Sequence, residues 1–137
     1  MTATFVQLNV ITPEKQLLSQ DVDFVTAPGS EGYFGVLPGH APLVSLLKAG
    51  ELSVGWGEKP ERYAVSSGYA EVLPDRVTIL VEHAMAQSDI DVEAVQAELT
   101  EAEEKLLGMI EDDPERSYWD KRRNYANACL EVHKKKD

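Results

Sequence analysis

The hydrophobic period of this chain changes once, near residue 87, and that change limits the folds open to it. Before residue 87, apolar residues alternate with polar ones: Val6, Leu8 and Val10; Leu52, Val54 and Trp56; Tyr63 and Val65; Val77, Ile79 and Val81. Alternation of period two marks strands with one face turned to a core. Every glycine except Gly108, and every proline except Pro114, also lies in this part. Turns are predicted at Pro28-Gly29, Pro38-Gly39 and Pro74-Asp75 and across residues 57–60. Short alternating runs between such turns predict an antiparallel β-sandwich of about ten strands over residues 1–86.

From Ser88 the spacing becomes helical. Val92, Val95, Leu99, Ala102, Leu106 and Ile110 recur at steps of three and four, the stripe of an amphipathic helix. Ser88 and Asp91 have the spacing of a capping box, with aspartate in place of the usual glutamate. Gly108 and the run Asp112-Asp113-Pro114 interrupt the pattern. Asp113 is the expected N-cap of a second helix, with Pro114 in its first position. The apolar face of that helix is expected at Tyr118, Trp119, Tyr125, Ala126, Cys129, Leu130 and Val132. The second unit, residues 87–137, is therefore an antiparallel two-helix hairpin. The fold class is α+β.

Charge narrows the function. The formal net charge is -11, which argues against nucleic acid, because phosphate binding needs a basic field. The lone cysteine, Cys129, cannot form an internal disulfide and fits a reducing compartment. The opening MTATFVQLNV lacks the basic start and apolar run of a signal peptide. No apolar run approaches the ~20 residues that span a bilayer. On the hairpin the charges are polarised. Asp91, Glu93, Glu98, Glu101, Glu103 and Glu104 dominate the first helix. Arg116, Lys121, Arg122, Arg123, Lys134, Lys135 and Lys136 dominate the second. These bases read either as a solvated face with pairing between the helices, or as a surface for an acidic partner.

Catalytic chemistry finds little support. Gly29, Gly32 and Gly35 are not followed by Gly-Lys-Ser/Thr or by a helical pattern, as a phosphate loop would be. His40, His83 and His133 lack an ordered nucleophile spacing, and Cys129 lies on a helical stripe where packing suits it better than attack. Cysteine and histidine show no metal spacing, so no metal is expected. Asp21 and Asp23 read as a solvated strand edge.

The stretch GSEGYFGVLPGHAPLVSLL, residues 29–47, resembles the signature segment of the F-type ATP synthase epsilon subunit family, called delta in mitochondria. The resemblance runs in order along essentially the whole chain. FVQLNVITPEKQLLSQDVDFVTAPGSEG, SSGYAEVLPDRVTILVEHA and DIDVEAVQAEL follow the family's opening strands, last strands and first helix. It implies a non-catalytic rotor subunit of the central stalk, at the cytoplasmic face of a bacterial plasma membrane and attached to that membrane only through the complex. The implied partners are the gamma shaft, the ring of c subunits and, in an inhibited state, the catalytic beta subunits with alpha. The sandwich would bind gamma and the c ring. Residues 29–42 would form one Gly/Pro-shaped loop facing the ring, with Glu31, Gly32, Tyr33, Gly39, His40, Ala41 and Pro42 in contact. The hairpin would be regulatory, with Arg116, Lys121, Arg122 and Arg123 on the inhibitory helix.

One family motif is incomplete. Some bacterial relatives bind ATP through Ile/Leu-Asp-x-x-Arg-Ala; here Ile90 and Asp91 match, but Ala94 replaces the arginine and Val95 the alanine. Losing a charge-assisted phosphate partner of ~1.5–3 kcal/mol predicts weak ATP binding or none, and so no cofactor. The competing reading is an unrelated all-β binding module with a helical dimerisation tail.

Overall fold

The structure, a computed structural model, describes residues 4–57 and 59–135. Ten strands precede two helices: β1 (Val6–Ile11), β2 (Gln16–Val22), β3 (Val25–Gly29), β4 (Gly32–Val36), β5 (Leu43–Leu47), β6 (Gly50–Val54), β7 (Glu61–Val65), β8 (Gly68–Leu73), β9 (Arg76–Val81) and β10 (Ala84–Ala86). A short 3-10 turn at Gln87–Asp89 leads into α1 (Val92–Leu107), and α2 (Arg116–Lys134) follows. The α+β class and the strand-then-helix order are those read from the sequence.

The strands run in the order β10-β7-β6-β3-β5-β8-β9-β1-β2, with β4 added on β3. The ladder narrows to the single pair Gly29↔Leu47 between β3 and β5, and there the sheet folds over into two layers. Val25, Val36, Leu52, Val54 and Val65 from one layer meet Leu8, Val10, Val72, Val77 and Ile79 from the other in one buried core. Each such side chain contributes ~1.5–3 kcal/mol by leaving water.

One pairing departs from the antiparallel expectation: β1 runs parallel to β9, with Leu8 opposite Val77 and Val10 opposite Ile79. Parallel neighbours need a long crossover, and seven strands supply it. The expected turn at Pro28-Gly29 is also displaced. Both residues belong to β3, and the reversal falls at Ser30 and Glu31. Trp56 lies beyond β6 and stacks on Phe24, ring centroids 4.1 Å apart, so the alternation stops at Val54. Asp21 ends near the edge of β2 and Asp23 lies past it, both exposed.

The helix starts differ from expectation as well. Asp91 is itself the N-cap of α1, accepting from the Glu93 and Ala94 amides, while Ser88 belongs to the preceding 3-10 turn. A carboxylate next to the first free amides caps better than a hydroxyl three residues upstream. The stripe of α1 ends at Leu106; Ile110 lies past the helix and is 73% exposed. Asp113 does cap a turn, accepting from the Glu115 amide at 2.8 Å, but α2 begins only at Arg116, so Pro114 stands before the helix. In α2 the buried residues are Ala126, Ala128, Cys129 and Val132. Tyr118 is exposed. Ala128, two residues after Ala126, joins the buried face beyond the positions expected.

The hairpin lies across the outer face of β6 and β7. Ala64, Ile90, Val95, Leu99, Ala126, Cys129 and Val132 form a second, smaller core there, with Met85 and Tyr125 at its margin.

Candidate functional site

The segment 29–42 is not one loop. Gly32–Val36 is strand β4, paired along its length with β3. Gly35 fits this pairing because a Cβ there would sit 2.8 Å from the Phe24 ring. Glu31, Gly32 and Tyr33 therefore stand at one end of the sandwich and Gly39, His40, Ala41 and Pro42 at the other. Phe34, Gly35 and Val36 of β4 lie between the two groups, ~10 Å of strand at ~3.3 Å per residue. Neighbouring contacts agree. The Ser30 amide bonds the Leu46 carbonyl at the far end of β5, whereas the Gly39 amide bonds the Pro74 carbonyl in the β8–β9 turn. Gly39 holds a φ of 85°, a turn conformation suited to glycine.

The two ends offer different surfaces. Glu31, Gly32 and Tyr33 are exposed. The Tyr33 hydroxyl accepts from the Glu51 amide at 3.1 Å, which fixes the ring beside the β5–β6 turn. His40 is only partly exposed, and its Nδ1 lies 2.7 Å from the Ala41 carbonyl oxygen. His40 is thus engaged in its own turn.

A third surface was not read from the sequence. On the outer face of the second layer, Leu46 lies opposite Tyr69, Tyr69 opposite Leu80 and Leu80 opposite Ile11. The exposures are 56% for Leu46, 55% for Tyr69, 45% for Leu80 and 72% for nearby Val44. Four strands thus present one apolar row to solvent, on the face opposite the hairpin. Contiguous apolar patches of this kind mark interaction sites. The signal was present in the outward positions of β5, β8 and β9, but only the cross-strand register joins them.

The basic residues of α2 are partly committed within the hairpin. Arg122 lies 3.8 Å from Glu101 of α1, donates to the Tyr118 hydroxyl at 3.0 Å and covers the Trp119 ring. That hydrogen bond is the main cause holding its pKa above the usual arginine value. Arg116 and Arg123 both face Asp120, at 3.9 and 3.1 Å. Lys121 is exposed. Lys136 lies outside the described residues.

The residues at the incomplete ATP motif have structural roles here. Ile90 is buried in the second core, Asp91 caps α1, and Ala94 is exposed. Cys129 is 1% exposed, and burial pushes its thiol up to about 11, with Glu98 adding to the shift and the Tyr125 hydrogen bond opposing it. Among the described residues no cluster of three or more His, Cys, Asp or Glu could hold a metal ion. Nor is any described helix long and apolar enough to cross a membrane.

Comparison with known proteins settles the family. The model described as ATP synthase, Delta/Epsilon chain, beta-sandwich domain matches residues 5–87. The ATP synthase epsilon chain of Magnetococcus marinus is 45% identical over 91% of this chain and 91% of its own. The chain belongs to the ATP synthase delta/epsilon family. The epsilon chain of Syntrophobacter fumaroxidans is 50% identical over 74% of this chain and 75% of its own. Among solved structures, a chain of the Euglena gracilis mitochondrial ATP synthase (OSCP/F1/c-ring, rotational state 1) matches with a TM-score of 0.76. It is 27% identical and covers 96% of this chain and 82% of its own. A chain from the Tetrahymena thermophila mitochondrial enzyme, 17% identical with a TM-score of 0.64, shares the fold. As an epsilon-type chain, the protein is a non-catalytic subunit of ATP synthase. An unrelated binding module is thereby set aside.

Proposed function

We propose that this chain is the rotor subunit that fixes the central shaft to the c ring, and that its hairpin inhibits ATP hydrolysis. The observation that carries the first part is the exposed row Leu46, Tyr69 and Leu80 with Val44. An apolar face held flat by four paired strands loses little entropy on docking, which suits a permanent joint under torque. Its partner in this reading is the gamma shaft.

The exposed Glu31–Tyr33 end then meets the c ring, while His40, engaged with the Ala41 carbonyl, shapes the opposite turn. A stiff sheet between the two contacts transmits torque, because interiors at crystal-like density deform little. The chain needs no cofactor for this work. It sits at the cytoplasmic face of a bacterial plasma membrane, held there through the complex.

Inhibition belongs to α2. Its bases Arg116, Lys121, Arg122 and Arg123 would reach an acidic surface of the catalytic beta subunit when the hairpin leaves the sandwich. With Ala94 in the motif, ATP exerts little hold on the docked form. Co-purification with a gamma-type subunit tests the central reading: wild type should form a stable pair and Tyr69→Asp should not. Equal retention of both, or of neither, would contradict it.

A further inference from the structure

The second helix ends against a carboxylate. Glu51 in β6 turns away from the sandwich core toward α2, and its side chain is largely covered. Lys135 Nζ lies 2.9 Å from Glu51 Oε1. Arg62 Nε lies 3.6 Å from Glu51 Oε2, and Arg62 Nη1 donates to the Lys135 carbonyl at 3.4 Å. One turn back, Gln87 Nε2 donates to the Val132 carbonyl at 2.7 Å. The last carbonyls of a helix have no partners within it, and its C-terminus favours positive charge. Arg62 and Gln87 meet both needs from the sandwich side.

The apolar contact beside them is made of small pieces: Ala126, Cys129 and Val132 against Ala64 and Ile90. Such a contact leaves much of the docking to the polar groups. Their geometry is that of a releasable joint. Ser53 Oγ donates to Glu51 Oε2, whereas neither Glu51 Oε1 nor Arg62 Nε makes a directed hydrogen bond. The attraction of Glu51 to Lys135 and Arg62 is therefore between charges rather than through a fixed fork.

We propose that Glu51 is the latch of the hairpin, holding Lys135 directly and placing Arg62 on the C-terminus of α2. Docking holds α2 against the sandwich and so away from a partner, while Arg122 is paired with Glu101 and Tyr118 inside the hairpin itself. This consequence for inhibition rests on the function proposed above; the latch itself does not. A chain without the latch spends more time open and inhibits hydrolysis more strongly.

The test uses the full chain and the rate at which iodoacetamide modifies Cys129, buried in the docked state. Glu51→Gln and Lys135→Met should each accelerate modification about fivefold, the effect of losing one half-covered ion pair. The double variant should be no faster than Glu51→Gln alone, because that change already removes the pair that Lys135→Met removes. Hydrogen exchange in β8 and β9 should stay unchanged, which separates release from unfolding. Lys135, at the helix end, gives a reading free of any strain in β6. Unchanged rates in both single variants, or multiplicative effects in the double one, would overturn the latch. In the reassembled ATPase, Glu51→Gln should deepen inhibition. Faster Cys129 modification without deeper inhibition would uphold the latch and overturn the inhibitory role of α2.

Discussion

Leu46 of β5 and Tyr69 of β8 lie directly opposite each other across the sheet, and both are more than half exposed. A cross-strand pair of this kind contributes roughly 0.2–1 kcal/mol, far less than a fully buried residue. Its value to the fold is small, so its presence needs another reason. Tyr69→Ser should leave the unfolding midpoint in denaturant almost unmoved, within about 0.5–1 kcal/mol. A loss above about 2 kcal/mol would make the row a structural part of the sandwich rather than a contact surface.

The two ends of β4 give separable effects. Glu31→Gln should weaken ATP-driven proton pumping by the reassembled enzyme while leaving the isolated protein folded. His40→Gln should act through its turn instead, changing pumping little. Equal loss in the two variants would show that both ends serve one contact.

Much of the sandwich was legible because a half-buried strand declares itself in period two. Val6, Leu8 and Val10 all reach the core, as do Val77, Ile79 and Val81. What failed to show was whatever depended on register. β4 is rich in glycine and read as a loop, since its strand character comes from pairing with β3 rather than from its own side chains. The parallel neighbours β1 and β9 lie about 70 residues apart in the chain, beyond any local pattern. The candidate site was legible as a motif and illegible as a shape: residues 29–42 looked like one surface and are divided between two ends. Glu51 gave no sign at all, because an isolated glutamate in a strand becomes a latch only when Arg62 and Lys135 are brought to it.

Ala94 carries a prediction about nucleotide. Titrating ATP into the isolated protein by calorimetry should give a dissociation constant of about 1 mM or weaker, about -4 kcal/mol. Ala94→Arg should tighten it, since the position is exposed at the start of α1. Micromolar binding by the wild type would mean that other cations replace the missing arginine.

Alkaline pH should loosen the hairpin through Cys129. Its thiol is pushed from 9.0 up to about 11 in the folded protein, chiefly by burial. The unfolded chain then loses its proton first, so folding stability is intact below pH ~9 and falls between pH ~9 and ~11. Denaturation midpoints measured from pH 8 to 10 should drop less steeply for Cys129→Ala than for wild type. Parallel slopes would show that the thiol is not what titrates.

The inhibitory role of α2 is tested most directly by ATP hydrolysis and ATP-driven proton pumping in the reassembled complex. The comparison is between the wild-type chain and one carrying Lys121→Gln, Arg122→Gln and Arg123→Gln. Hydrolysis should rise with the substituted chain while pumping persists, because the sandwich still joins shaft and ring. Raising the salt from low ionic strength to about 0.15 M should narrow the difference, as screening reaches exposed charges beyond ~8 Å. Equal hydrolysis with the two chains would contradict the account.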